Sequence, residues 1–204
     1  MSVIATASKT LMTAEEFGDW VCLPENVNGF FELVRGEVIE LPPPMKIHGV
    51  VAWHASRLLG NFCIARNCGY ITTNDSGVIL ERDPDTVRGP DVAVYEDAGS
   101  FDELHPKYDE VPPVLAVEVL SPNDRPNKVV RKIGDYLRNG VKLVWLIDPD
   151  DRTVTVFAPD RTQVTVGPDD ELSGEAVLPG FACRVADLFF VPGPPPKPTE
   201  LPSA

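Results

Sequence analysis

Two carboxylates stand out by where they sit. Residues 114–120 read Val-Leu-Ala-Val-Glu-Val-Leu, apolar at six of seven positions. Such a run is a strand covered on both faces. Glu118 lies inside it, and a carboxylate there is costly unless it is paired or holds a metal. Asp91 follows Gly89-Pro90 and opens a second apolar run, 91–95. Each has an ordinary alternative. Glu118 could be a strand-end carboxylate salt-bridged to Arg or Lys, and Pro-Asp is a frequent loop-to-strand junction. Taken together they say more. They lie 27 residues apart on strands joined by one loop, and consecutive strands tend to be neighbours. Two hard oxygen ligands with open positions suit Mg²⁺, which prefers few carboxylates plus waters and phosphate oxygens.

Basic residues follow. Lys128 and Lys132 are four apart, so they share a helix face with Tyr136 one turn on. A lysine aimed back at the strand ends could position a water or stabilise charge on a phosphate. A solvated basic face is the plain alternative. His48 starts the longest helical pattern and could line a site, contact a phosphate or cap the helix. His54 falls within the apolar stripe and reads as a core histidine. Ser121 lacks a nucleophile-elbow pattern, and no glycine-rich phosphate loop is present.

The elements that would position these residues are readable. Thr13-Ala14-Glu15-Glu16 has capping-box spacing for a first helix. Residues 30–34 and 37–40 flank Arg35-Gly36 as a hairpin with a two-residue turn. A helix is expected over 47–65, with Ile47, Val50, Val51, Leu58, Leu59 and Phe62 as its apolar face. Strands are expected at 70–73, 77–81, 91–95 and 114–120, and a loop over 96–113. A helix over 127–138 ends at Asn139-Gly140, and strands at 142–147, 153–157 and 163–166 follow. This order implies an α/β (α+β) fold with a mixed β-sheet flanked by helices. One domain is expected over 11–191, after an extension at 1–10 and before a Pro-rich tail at 192–204.

The 204 residues carry 18 Lys plus Arg against 31 Asp plus Glu, a formal charge of −13. That argues against a whole-surface grip on nucleic acid, which needs a basic patch. It leaves room for a local cation site, since acidic proteins concentrate divalent metals. No apolar run approaches the roughly 18 residues of a membrane helix, and residues 1–10 do not read as a signal peptide. Four scattered cysteines read as reduced thiols in a cytoplasmic protein.

A set of motifs recurs in a recognisable order. They are Thr13-Ala14-Glu15-Glu16-Phe17, Phe31-Glu32-Leu33-Val34-Arg35-Gly36-Glu37-Val38, His48, Gly89-Pro90-Asp91-Val92, Glu118-Val119-Leu120-Ser121-Pro122, Lys132 with Tyr136, Gly140-Val141, Val144-Trp145-Leu146-Ile147-Asp148-Pro149 and Leu178-Pro179-Gly180-Phe181. In these, residues 11–190 resemble the bacterial Uma-type restriction-endonuclease family, a domain of unknown function within the PD-(D/E)XK nuclease-like superfamily. The resemblance implies a restriction-endonuclease-like fold, Mg²⁺ or Mn²⁺ as cofactor, and hydrolysis of phosphodiester bonds in DNA. It makes Asp91 a metal ligand, Glu118 the second, and Glu32 a third acidic ligand completing the metal site. The superfamily usually places a lysine two residues after the glutamate, where this chain has Leu120. The resemblance therefore assigns the catalytic lysine to Lys132. His48, Ser121 and Lys128 are candidates for substrate binding. By analogy with the superfamily, a homodimer is expected. Two other functions fit the acidic charge and the displaced lysine: a non-catalytic binding module on a nuclease-like scaffold, and a metal-dependent hydrolase of small phosphate esters.

Overall fold

A computed structural model describes residues 11–193, so the expected extension at 1–10 and nearly all of the Pro-rich tail lie outside the described residues. Helix α1 (Ala14–Val21) is closed by the expected capping box. The Thr13 hydroxyl accepts from the Glu16 N–H at 3.2 Å, and the Glu16 carboxylate accepts from the Thr13 N–H at 2.9 Å. Strands β1 (Phe30–Val34) and β2 (Glu37–Leu41) form the hairpin. Arg35 and Gly36 both have positive φ, 52° and 76°, as a tight primed turn requires.

The hairpin belongs to a four-stranded sheet ordered β2-β1-β5-β4, with β4 at Val78–Glu81 and β5 at Thr86–Arg88. Strand β5 was not expected from sequence. It has only three residues and follows the charged turn Arg82-Asp83-Pro84-Asp85, which reads as loop. Asp85 ties this sheet to α1: its Oδ2 accepts from the Ala14 N–H and from Arg82, both at 2.8 Å. Burial would raise the Asp85 carboxyl, but the N–H groups of Ala14 and Asp83, and then Arg82, hold it low. Asp85→Ala leaves the buried first N–H of α1 unmatched, so urea unfolding is expected to show a loss of about 1–3 kcal/mol. A carboxyl held low when folded stabilises above its unfolded pKa, and that gain is lost as pH falls through the folded value. The deficit of the variant should therefore shrink in acid.

The main sheet is six-stranded, ordered β10-β9-β8-β7-β6-β3. Its strands are β3 (Tyr70–Thr73), β6 (Val92–Tyr95), β7 (Leu115–Val119), β8 (Leu143–Asp148), β9 (Thr153–Phe157) and β10 (Gln163–Val166). Only β7 and β8 pair in parallel, joined through α3 (Pro126–Arg138). Helix α2 (Lys46–Arg66) covers the opposite face, together with a two-stranded ribbon of β11 (Glu171–Ser173) and β12 (Ala182–Arg184). This ribbon too went unread in the sequence.

The apolar face expected of α2 needs correction. Its buried residues are Val51, His54, Ala55, Leu59 and Cys63, whereas Ile47 is 64% exposed. The helix is apolar nearly all round, so spacings of three and four pick out more than one stripe. His54 is buried as expected, with its ring nitrogens at the Phe190 carbonyl and at Arg57. Among the described residues, no helix is long and apolar enough to cross a membrane.

Candidate active site

The period of two along β7 decides which face each side chain takes. Leu115, Val117 and Val119 enter the core under α2, and Ala116 packs under α3. Glu118 shares the face of Ala116. There it meets Lys132 and Tyr136, which lie four apart on one face of α3. Lys132 Nζ donates to Glu118 Oε2 at 2.8 Å, and the Tyr136 hydroxyl donates to Oε1 at 2.7 Å.

Strand β6 runs antiparallel to β7 with Val92 opposite Val117, so Asp91, one residue earlier, comes level with Glu118. Asp91 Oδ2 accepts from the Val119 N–H at 2.7 Å and lies 3.1 Å from His48 Nε2. His48, from the first turn of α2, thus reaches the cluster. Its hydrogen bond to Asp91 holds the imidazole above its usual pKa, against the effect of burial.

The segment Arg88-Gly89-Pro90-Asp91 carries the chain from the smaller sheet to the larger one, and the cluster sits at that passage. The Gly89 N–H donates to Glu32 Oε1 at 3.2 Å, and the Gly89 carbonyl accepts from Lys132 at 2.9 Å. A Cβ on Gly89 would come within 2.3 Å of the Asp75 carbonyl oxygen, so only glycine permits this approach. Glu32 also receives Lys132 at 3.0 Å and Arg88 at 2.6 Å. Arg88 in turn pairs with Asp135 of α3.

The electrostatics follow from crowding. Burial pushes the Glu118 carboxyl up to about 8, Lys132 pulls it down, and Asp91 and Glu32 push it further up. Burial also raises Asp75 to about 6, with Asp91 adding to the effect. Lys132 is held firmly as the ammonium: burial disfavours the charge, but Glu118, Glu32 and Asp91 outweigh it. Glu32 stays low, because Lys132 and Arg88 overcome its burial. Glu118, Glu32, Asp91 and Asp75 thus stand against Lys132, Arg88 and His48. Asp91 and Glu118 are the pair that could share a hard cation, as Mg²⁺ needs only one or two carboxylates. No group of three or more His, Cys, Asp or Glu with metal-holding geometry occurs among the described residues.

The structure therefore brings together Asp91, Glu118, Lys132, Glu32 and His48. The plain alternative for Glu118, a strand-end carboxylate paired with a lysine, also describes its contacts. Ser121 lies just beyond, its N–H donating to Asp124, and borders an open cleft. Lys128 is exposed, and no hydrogen bond or ion pair joins it to the carboxylates. Sequence reasoning missed three residues. Arg88 sits in the unread β5. Asp135 is charged on the buried side of α3, a signal that was available. Asp75 lies in a loop after Asn74, both at positive φ, and carries no signal.

The mixed sheet and its helices form a nuclease-like fold. A crystal structure described as "a putative nuclease belonging to DUF820", from Anabaena variabilis, superposes with a TM-score of 0.73 at 22% identity, over 87% of this chain and 97% of that one. The chain itself belongs to the family described as "Uma2: Putative restriction endonuclease", whose model matches residues 14–186. No curated protein matches it.

Proposed function

We propose that this chain hydrolyses phosphodiester bonds of DNA at the Asp91–Glu118–Lys132 cluster, with Mg²⁺ or Mn²⁺ as cofactor. The observation that carries this is Lys132 Nζ 2.8 Å from Glu118 at the strand ends where Asp91 also converges. On this reading α3 supplies the lysine missing after Glu118. Asp91 and Glu118 would hold the cation. Bound there, it would polarise the phosphate and lower the pKa of an attacking water. Lys132 holds a fixed positive charge where negative charge would develop. Tyr136 and the Val119 N–H fix the two carboxylates in place. Glu32 acts one step back, orienting Lys132. Cutting both strands of a duplex in one encounter takes two clusters, so a homodimer belongs to the duplex form of this proposal.

The non-catalytic alternative has one observation in its favour: Lys132 already balances two carboxylates without a metal. Calorimetric titration of Mn²⁺ and Mg²⁺ into wild type and Glu118→Gln separates the two. Gln keeps the size of Glu118 and an oxygen for Lys132 but gives up the anion. Stoichiometric binding by wild type that disappears in the variant is the expected result, together with loss of metal-dependent cleavage. No binding by wild type, or equal binding by both, favours the non-catalytic module.

A further inference from the structure

An open cleft of about 640 Å³ adjoins the carboxylate cluster, between the first turns of α2 and α3. Its size is that of a small-molecule site. Its walls are apolar: Met45, Ile47, Val129, Val130, Pro122 and Leu146 line it. Ile47 and Val130 are 64% and 67% exposed, on helices that could have carried polar residues there. Exposed apolar surface gathered in one cleft marks a binding site rather than a core. His48 lines the same cleft and touches Asp91. His48 thus reaches from the cleft to the cluster.

The charges on the cleft are informative. Asp124, Asp148 and Asp150 line it against a single lysine, Lys46. A polyanionic backbone cannot run along such a wall, and a duplex would bring two backbones. A base could lie there. Aliphatic side chains would cover its faces, and carboxylates accept from exocyclic amino groups.

We infer that this cleft takes an unpaired base next to the scissile phosphate, so that the substrate is single-stranded DNA rather than a continuous duplex. The inference rests on the hydrolytic role proposed above for the cluster and specifies its substrate class. A single strand places one phosphate beside the carboxylate cluster and turns its neighbouring base into the apolar cleft. A base held in a duplex cannot enter without leaving its stack.

The test uses short oligonucleotides carrying 2-aminopurine, single-stranded and duplex, with Ca²⁺ in place of Mn²⁺ to prevent cleavage. Anisotropy reports binding and the emission of 2-aminopurine reports burial of the base. Wild type is expected to bind the single strand about tenfold or more tightly than the duplex, with a change in emission. Val130→Asp and Ile47→Asp stand on opposite walls and on exposed sites, so neither should unfold the protein. Each is expected to weaken single-strand binding about tenfold, through the lost apolar contact and the added negative charge. Equal or tighter binding of the duplex overturns the inference. So does binding of neither oligonucleotide, or single-strand binding that both variants leave within about twofold of wild type. The parent proposal fails separately. Preferential cleavage of duplex in Mn²⁺ would keep the nuclease and remove the single-strand preference. Single-strand binding in the cleft with no cleavage in Mn²⁺ would keep the cleft and remove the nuclease.

Discussion

Arg88→Met is expected to destabilise the fold by about 3–5 kcal/mol, because it removes the buried cation shared by Glu32 and Asp135 and leaves Glu32 only Lys132 and Asp135 only the exposed Arg138. For a domain of this size that lowers the melting midpoint by roughly 6–20 °C. Arg88 bridges Glu32 of β1 and Asp135 of α3, and all three side chains are at most 8% exposed. The guanidinium places Nη1 on Glu32 while Nε and Nη2 share Asp135. One residue thus joins the smaller sheet to the helix that carries Lys132. Arg88→Lys should recover little, since an ammonium cannot reproduce the fork. Glu32 adds a pH signature. Its carboxyl is held low in the folded state by Lys132 and Arg88, so it stabilises above its unfolded pKa and ceases to as pH falls through the folded value. The difference between wild type and variant should therefore narrow in acid. Thermal and urea unfolding by circular dichroism measure all of this. A loss under about 1 kcal/mol would mean that the triad contributes no net stability.

The parts of this arrangement that were legible in the sequence are those governed by local rules. The capping box at Thr13 and the Arg35-Gly36 turn are local hydrogen-bond and φ requirements, and both are present. Glu118 was conspicuous because it interrupts a covered strand. The four-residue spacing of Lys132 and Tyr136 fixed their shared face before any partner was visible. What stayed hidden depends on contacts distant in sequence. Arg88 and Glu32 are 56 residues apart, and Arg88 and Asp135 are 47 apart. Short strands such as β5, β11 and β12 are held by their neighbours rather than by a pattern of their own. The cleft escaped for a similar reason. Ile47 counted towards the core-facing stripe of α2, and only the packed helix shows that it faces outward.

Lys132→Met should separate catalysis from metal binding. Lys132 donates to Glu118, Glu32 and the Gly89 carbonyl, so it occupies the centre of the negative charge. Removing it takes away the fixed positive charge proposed to act on the phosphate, and cleavage is expected to fall about 10²–10³-fold. Mn²⁺ affinity should hold or rise, because Glu118 loses the ammonium that competes for its oxygens. Without metal, the variant should be less stable than wild type but milder than Arg88→Met. Glu118, already raised to about 8 by burial and its anionic neighbours, can take up a proton, and Glu32 keeps Arg88. Adding Mn²⁺ at about a hundred times its dissociation constant should return about 2.7 kcal/mol to the folded state. The thermal shift on adding metal should thus be at least as large in the variant as in wild type. If metal affinity falls along with cleavage, Lys132 serves to build the site rather than to act within it. If cleavage survives, the lysine that acts on the phosphate lies elsewhere.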